Sequence, residues 1–383
     1  MPRRYGPLIL LTAVIGLSSV YFGTMAFNAA GLPFGVRVVG ADTGVVVPVR
    51  GLVLPDELRA GERMDLAAQP QATRIAIVQL NSNGQQLPPG TAYRFVTHPG
   101  AAAAAVVVRS TSLESVASQR VEGWLELFQS IFSGVIALVV VWRGRDRAAR
   151  GLALFATAFL AGRAVNSVPC EGTAGLAAVA SAWTLYMLAR VGFYLMAEAM
   201  AGTALGARSR PWWRAGFVLL LGAGETVAVG GPVLYVTTGW AELMRLRYGL
   251  VMTASYLAPV VLLFVSYHRA AAAERLRLRW MLLSGGVFVA SIALGNVSIP
   301  GPVDSSYAEQ ILELCALAGF LYAILRHRVV DLRVVVSRTL VYAMTTSLVL
   351  LSAHLGAHFR VISAGGRPVF PYFGGTSSIK ARV

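Results

Sequence analysis

Lysine is all but missing from this sequence: Lys380 is the single one among 33 basic residues. Cysteine is nearly as scarce. Cys170 and Cys315 are too few for a disulfide framework, and neither has the companions a metal site needs. Charged residues make up only 13% of the chain, against 56% hydrophobic ones. That imbalance, with a mean hydropathy of +0.63, excludes a soluble protein of 383 residues, which could not hide so much apolar surface. Catalytic signatures are missing too: there is no G-x-S-x-G, no P-loop, no H-E-x-x-H and no pair of broken helices of the transporter kind. His354 and His358 share a helix face, yet without a nearby carboxylate or cysteine they read as incidental. His327, between Arg326 and Arg328, reads as an interfacial loop residue. No cofactor is expected.

What is present is a set of long apolar runs separated by arginine-rich connectors, which makes the chain a polytopic membrane protein. The net charge of +15 therefore reads as membrane topology and not as nucleic-acid binding. The arginine bias, with abundant Ala, Val and Gly, points to a GC-rich bacterial genome. MPRR followed by a long apolar run over 5–27 reads as an uncleaved signal anchor, no clean A-x-A site following it. Further spans fall near 123–142, 151–168, 175–203, 212–230, 249–268, 279–298, 307–325 and 339–357, about nine in all. The run at 151–168 is the weakest, being short and carrying Arg163 and Asn166.

Alternate connectors hold the arginines: RGRDRAAR (143–150), ARSRPWWR (207–214), HRAAAAERLRLR (268–279) and RHRVVDLRVVVSR (326–338). The connectors between them hold only Arg245 and Arg247. By the positive-inside rule the first set is cytoplasmic, which puts the N-terminus inside and residues 28–120 outside, in a periplasm if the cell has one. The expected residence is the inner (cytoplasmic) membrane. Residues 28–120 have a different texture, with short alternating runs such as GVRVV, TRIAIVQL and AYRFVTH between turn signals NSNG and PPG. They are expected to form a small β-rich domain ahead of a membrane bundle over 121–325.

This domain resembles a bacterial PDZ domain. Phe34-Gly35-Val36 matches the apolar-Gly-apolar loop whose amides hold a peptide carboxylate in that family. GVVVPVR (44–50) matches the following strand, Leu58–Met64 the family's Leu-x-x-Gly-Asp-x-Ile turn with Glu62 for Asp, and YRFVTHPG (93–100) the last strand. The resemblance implies peptide capture by β-augmentation; the alternative is a spacer domain.

Within the membrane, Arg190 falls near the middle of the 175–203 span, where an unpaired charge costs a few kcal/mol. Glu225 on the next span and Glu198 on the same helix are its candidate partners. Glu309 and Glu313, one turn apart, form a second acidic pair. Two readings stand: ion pairs that hold the helices together, or a polar pocket that senses a ligand or couples helix movement. Gly222, Gly224, Gly285 and Gly286 are expected to mark close helix packing.

Near the end of the sequence, Tyr322-Ala-Ile-Leu-Arg326-His-Arg328-Val-Val-Asp331-Leu-Arg333 precedes Ser337-Arg338-Thr-Leu-Val-Tyr342. It resembles a junction in ComP-like polytopic bacterial sensor histidine kinases, some of which also carry a PDZ-like domain after the first span. The resemblance covers about residues 1–350. It implies a signal junction at Arg326, Arg328, Asp331, Arg333, Arg338 and Tyr342. It also implies a last membrane pair and a kinase core, and a homodimer or a heterodimer with an intact sensor kinase. Instead, the last helix at 339–357 is followed by 358–383, which carries no H-box and no ATP-binding motif, and whose composition shifts toward Gly, Phe and Ser. The expectation is a truncated or frameshifted sensor without phosphotransfer activity, the alternative being a natural kinase-less receptor. A polytopic transporter using an Arg/Glu polar path is the reading from a different class. A PDZ-bearing membrane protease is disfavoured, since no span carries H-E-x-x-H.

Overall fold

The structure, a computed structural model, describes residues 12–18, 21, 30–49, 52–81, 87–97, 104–112, 117–143, 146–166, 168–247, 250–295 and 305–325. The junction residues Arg326, Arg328, Asp331, Arg333, Arg338 and Tyr342, the span at 339–357 and the 358–383 tail lie outside them. The chain is mainly helical, with one small antiparallel β-domain.

A helical segment over 12–18 (α1) comes first. It is followed by β1 (Ala30–Gly31), β2 (Phe34–Val38), β3 (Thr43–Pro48) and β4 (Arg63–Asp65). Helix α2 (Gln71–Leu80) leads to β5 (Ala92–Thr97), β6 (Ala104–Arg109) and β7 (Thr111–Ser112). Strands β2 to β6 pair in sequential order, and β1 pairs with β7. Alternation sets the faces: Phe34, Val36, Val46, Met64, Tyr93 and Phe95 turn inward beneath α2. The Leu58–Met64 turn forms as its sequence suggests, with Gly61 at φ 80° and the Glu62 carboxylate accepting the Arg59 N–H at 2.9 Å. Glu62 thus does there what a shorter Asp could do.

The membrane-type helices are α3 (Ala117–Arg143), α4 (Arg147–Asn166), α5 (Gly172–Ala201), α6 (Arg210–Glu225), α7 (Gly231–Thr238), α8 (Glu242–Arg247), α9 (Leu250–Arg269), α10 (Ala272–Gly295) and α11 (Ser305–Leu325). Among the described residues, five stretches are long and apolar enough to cross a membrane: Gly123–Val141, Arg147–Asn166, Gly172–Ala201, Arg210–Thr238 and Glu274–Leu294. The spans expected at 249–268 and 307–325 fall on α9 and α11. Helix α4, the weakest run in the sequence, starts at Arg147 because Asp146 accepts the Ala149 N–H at 2.7 Å and caps it.

Two element expectations change. TRIAIVQL (73–80), read as one of the alternating runs, is helical and forms most of α2. Gly230-Gly231-Pro232 reads as the end of a span, yet the helix runs on to Thr238 through a π-helical turn over Thr226–Gly230. Pro232 follows directly on the wider π turn, which relaxes the regular hydrogen-bond ladder where the proline has no N–H to give.

Six helices close a ring by neighbour contacts in the order α3, α4, α5, α9, α10, α11 and back to α3, while α6 packs outside against α9. Phe155, Phe193, Phe288 and Phe320 fill the interior, with centroid separations such as 5.2 Å between Phe155 and Phe288. The outer surface is apolar: Phe128, Val218, Leu219, Phe264 and Leu283 are all more than half exposed. A soluble bundle would turn such side chains inward; here lipid is their expected solvent. The tightest crossing joins α4 and α5. A Cβ at Gly151 would stand 2.5 Å from the Met196 nitrogen, and one at Gly192 would run into the Phe155 backbone. Of the packing glycines expected from sequence, Gly285 meets Val260 closely, whereas Gly222 and Gly286 face open space.

Candidate functional site in the ring interior

The β-domain does not float free of the helices. Its hydrophobic core continues into Val179 and Trp183 of α5, Ala228 in the π turn, Tyr235 and Val236 of α7, and Met244 of α8. Polar contacts stitch the same seam. Arg74 Nη1 donates to the Val236 carbonyl at 3.2 Å, Gln79 Nε2 to the Cys170 carbonyl at 2.8 Å, and Thr91 Oγ1 to Glu171 at 2.8 Å. Ala241 N–H donates to the Ala41 carbonyl at 2.6 Å. Gly239, at φ 83°, is obligatory: a Cβ there would sit 2.8 Å from the Ala67 Cα. Burial, helped by the nearby Glu171 carboxylate, raises the Tyr93 phenol above its ordinary pKa, and burial also pushes the Cys170 thiol up.

Below this seam the ring interior turns polar. Arg163 of α4, about 24 Å along the helix from Arg147 at 1.5 Å per residue, bridges two helices. Its Nη2 lies 3.2 Å from Glu126 on α3 and its Nη1 3.4 Å from Glu313 on α11. Gln129 of α3 donates a second hydrogen bond to Glu313. Three helices are thus tied together through one guanidinium, with Glu313 only 5% exposed. Two ion-pair partners largely offset the desolvation of Arg163.

Arg190 is different. It is 1% exposed, packs its guanidinium 5.2 Å from the centroid of Tyr256 on α9, and leaves Nε and Nη1 without a hydrogen-bond partner among the described residues. Glu225, on the last turn of α6, accepts a 3.3 Å hydrogen bond from Thr184 Oγ1, while its buried Oε2 has no partner among the described residues. The two charges feel each other electrostatically, yet no ion pair joins them among the described residues. The π turn begins at the residue after Glu225. A buried arginine beside a half-buried, incompletely paired glutamate at a π turn has the marks of a functional element.

No family model, curated protein or solved structure matches this chain. Function has to be argued from the site.

The site residues expected from sequence separate in space. Arg190 and Glu225 come together across α5 and α6. Glu198 instead pairs with Arg214 at the far end of the bundle, with Nη2 to Oε1 at 2.6 Å. Glu313 belongs to the Arg163 cluster, and Glu309 lies within the electrostatic reach of the same arginine. Phe34, Gly35 and Val36 lie within β2 and not in a loop. Phe34 and Val36 are buried, and Phe34 packs edge-on to Phe95 at 5.0 Å. Strand β2 is an edge strand of the five-stranded sheet. Sequence reading missed Arg163, Glu126 and Gln129 as a cluster. The signal was present in Arg163 itself, taken only as a blemish in a weak span.

Proposed function

We propose that this chain is the sensory and membrane-spanning portion of a two-component sensor histidine kinase. In this reading it has about nine spans, a cytoplasmic N-terminus and an extracytoplasmic domain of PDZ type over 28–120, in the inner (cytoplasmic) membrane. The observation that carries the reading is the incompletely paired Arg190–Glu225 couple placed between a docked outer domain and the ring. A signal bound outside, a peptide at the β2 edge being one candidate, would shift α7, which is welded to the β-domain through Tyr235 and Val236. The π turn at Thr226–Gly230 offers the slack to rotate Glu225 toward or away from Arg190. Closing that pair would draw α6 onto α5, and the movement would travel to the junction around Arg326 to Arg338. A ligand acts only by its differential affinity for the two arrangements, so the couple must be poised and not locked.

The working partner is a second copy or an intact sensor kinase sharing the junction motif. The test is autophosphorylation of such a kinase co-reconstituted with this chain. Wild-type chain should change the output, and Glu225→Gln should abolish that change while the chain stays folded. Output that ignores the chain altogether would sink the proposal.

The polar interior around Arg163, Glu126 and Glu313 favours a second reading, a transporter with an internal polar path. Substrate flux into vesicles that disappears in Arg190→Ala would select it.

A further inference from the structure

At the end of the bundle far from the β-domain, the start of α4, the end of α5 and the starts of α6 and α10 surround a cleft of about 760 Å³. Five arginines line it, Arg147, Arg150, Arg210, Arg214 and Arg277, against two carboxylates, Asp146 and Glu198. Five positive charges less two negative ones leave a surplus of three. Both carboxylates are already engaged. Glu198 holds Arg214 through Nη2 at 2.6 Å and Nε at 3.0 Å, and Asp146 caps α4. Arg210 and Arg277 each donate through Nη2 to a carbonyl at the end of α5, that of Gly202 and that of Met200 respectively. These bonds hold both guanidiniums at the cleft, while the buried Nε of each has no partner among the described residues.

A basic rim alone would be ordinary for a membrane protein. Convergence from four helix ends on one cavity is not, and the remaining wall is informative. Leu154 and Leu195 also line the cleft, and Leu195 is 44% exposed on the lipid-facing side of α5. A free ion gains nothing from that wall, whereas a lipid presents a headgroup to the arginines and a chain to the leucines. Guanidinium forks match phosphate oxygens, and basic pockets between helices at a membrane face suit anionic headgroups.

We propose that this cleft binds the phosphate headgroup of an anionic phospholipid, with an acyl chain running along Leu154 and Leu195. Arg147 and Arg150, both exposed on the first turn of α4, would contribute most to capture, since Arg214, exposed as well, is held by Glu198. The proposal concerns the end of the bundle away from the sensor seam and does not depend on the kinase reading.

The test reconstitutes the full chain in phosphatidylcholine nanodiscs and titrates phosphatidylglycerol, reading the thermal unfolding midpoint and the lipid retained by native mass spectrometry. Phosphatidylglycerol should raise the midpoint and remain bound. Arg147→Gln with Arg150→Gln should weaken retention by about twenty-five-fold, since each arginine near the surface contributes about a fivefold factor. Arg208→Gln, an exposed arginine outside the cleft, should leave retention unchanged. The midpoint in phosphatidylcholine alone reports whether the double variant is folded. If it is not, Leu195→Glu on the lipid-facing wall takes its place and should also displace the lipid. No response to phosphatidylglycerol, an equal loss in Arg208→Gln, or the same stabilisation by pyrophosphate in phosphatidylcholine would each overturn the assignment.

Discussion

The β-domain and the helix ring solve burial in opposite ways. In the domain, Phe34, Met64 and Phe95 go in, while charged side chains such as Arg59 stay out. In the ring, Phe264 and Leu283 face outward while Arg163, Arg190 and Glu313 go in. Yet the two share one hydrophobic cluster, in which strand residues meet Trp183 and Tyr235. A β-domain packed this way against the ends of the helices cannot move far without moving them. A domain carried on the same helices by a flexible linker could.

The sharpest way to break the contrast is to attack the ring's inverted interior. Arg163→Met removes the cation that the buried Glu313 and the partly buried Glu126 face, and stranding a buried charge in this way typically costs about 3–5 kcal/mol. Unfolding of the purified protein in mild detergent, followed by far-UV circular dichroism against a denaturing detergent, should show a large loss of stability. Glu313→Leu combined with Arg163→Met should recover part of it, because Glu313 is then no longer stranded. An Arg163→Met protein as stable as wild type would mean that the cluster is not a structural tie.

The seam comes next in size. Gly239→Leu places a side chain against the Ala67 Cα and forces φ 83° on a residue with a Cβ, a combined cost of about 1–3 kcal/mol. The loss should be regional. Hydrogen exchange should accelerate in α2 and α7, while α4 and α10 keep their protection. Uniform acceleration through both regions would show a single cooperative unit and sharpen the comparison in the other direction.

The two regions also differed in how far they could be read from sequence. Strand alternation in GVRVV and AYRFVTH placed β2 and β5, because period two fixes both face and partner in a short meander. Hydropathy placed the helices, with ends drifting by several residues where arginine-rich connectors proved helical, as at Ala272–Arg279. What could not be read was which helix stands beside which. Glu198 and Glu225 are equally plausible partners for Arg190 by sequence, and only the way α6 lies beside α5 gives Glu198 to Arg214 and leaves Glu225 within electrostatic reach of Arg190. The seam was illegible for a related reason. Gln79, Cys170 and Gly239 carry no pattern of their own, and they meet only because the domain docks where α5 begins and α7 ends. The role of Arg163 was hidden by treating charge in a span as a defect, when a buried charge with two partners is a tie.

Arg190 supplies the smallest stability effect and the most telling one. A buried guanidinium with two unpartnered nitrogens contributes little that a well-packed apolar side chain could not. Arg190→Met keeps the stem's packing against the Tyr256 ring and loses one hydrogen bond to its phenol, so thermal stability should change by no more than about 1 kcal/mol. Glu225 loses only an unclosed partner, since its Thr184 hydrogen bond remains. If Arg190 were one more structural tie, Arg190→Met would behave like Arg163→Met and lose several kcal/mol. If it is the poised half of a switch, the substitution should leave the fold intact and remove the effect of this chain on a reconstituted kinase. Stability held at the cost of response is the pattern of a residue kept for function. Measuring Arg163→Met and Arg190→Met in the same detergent therefore divides the buried arginines of one ring into a tie and a switch, and equal destabilisation by the two would end that division.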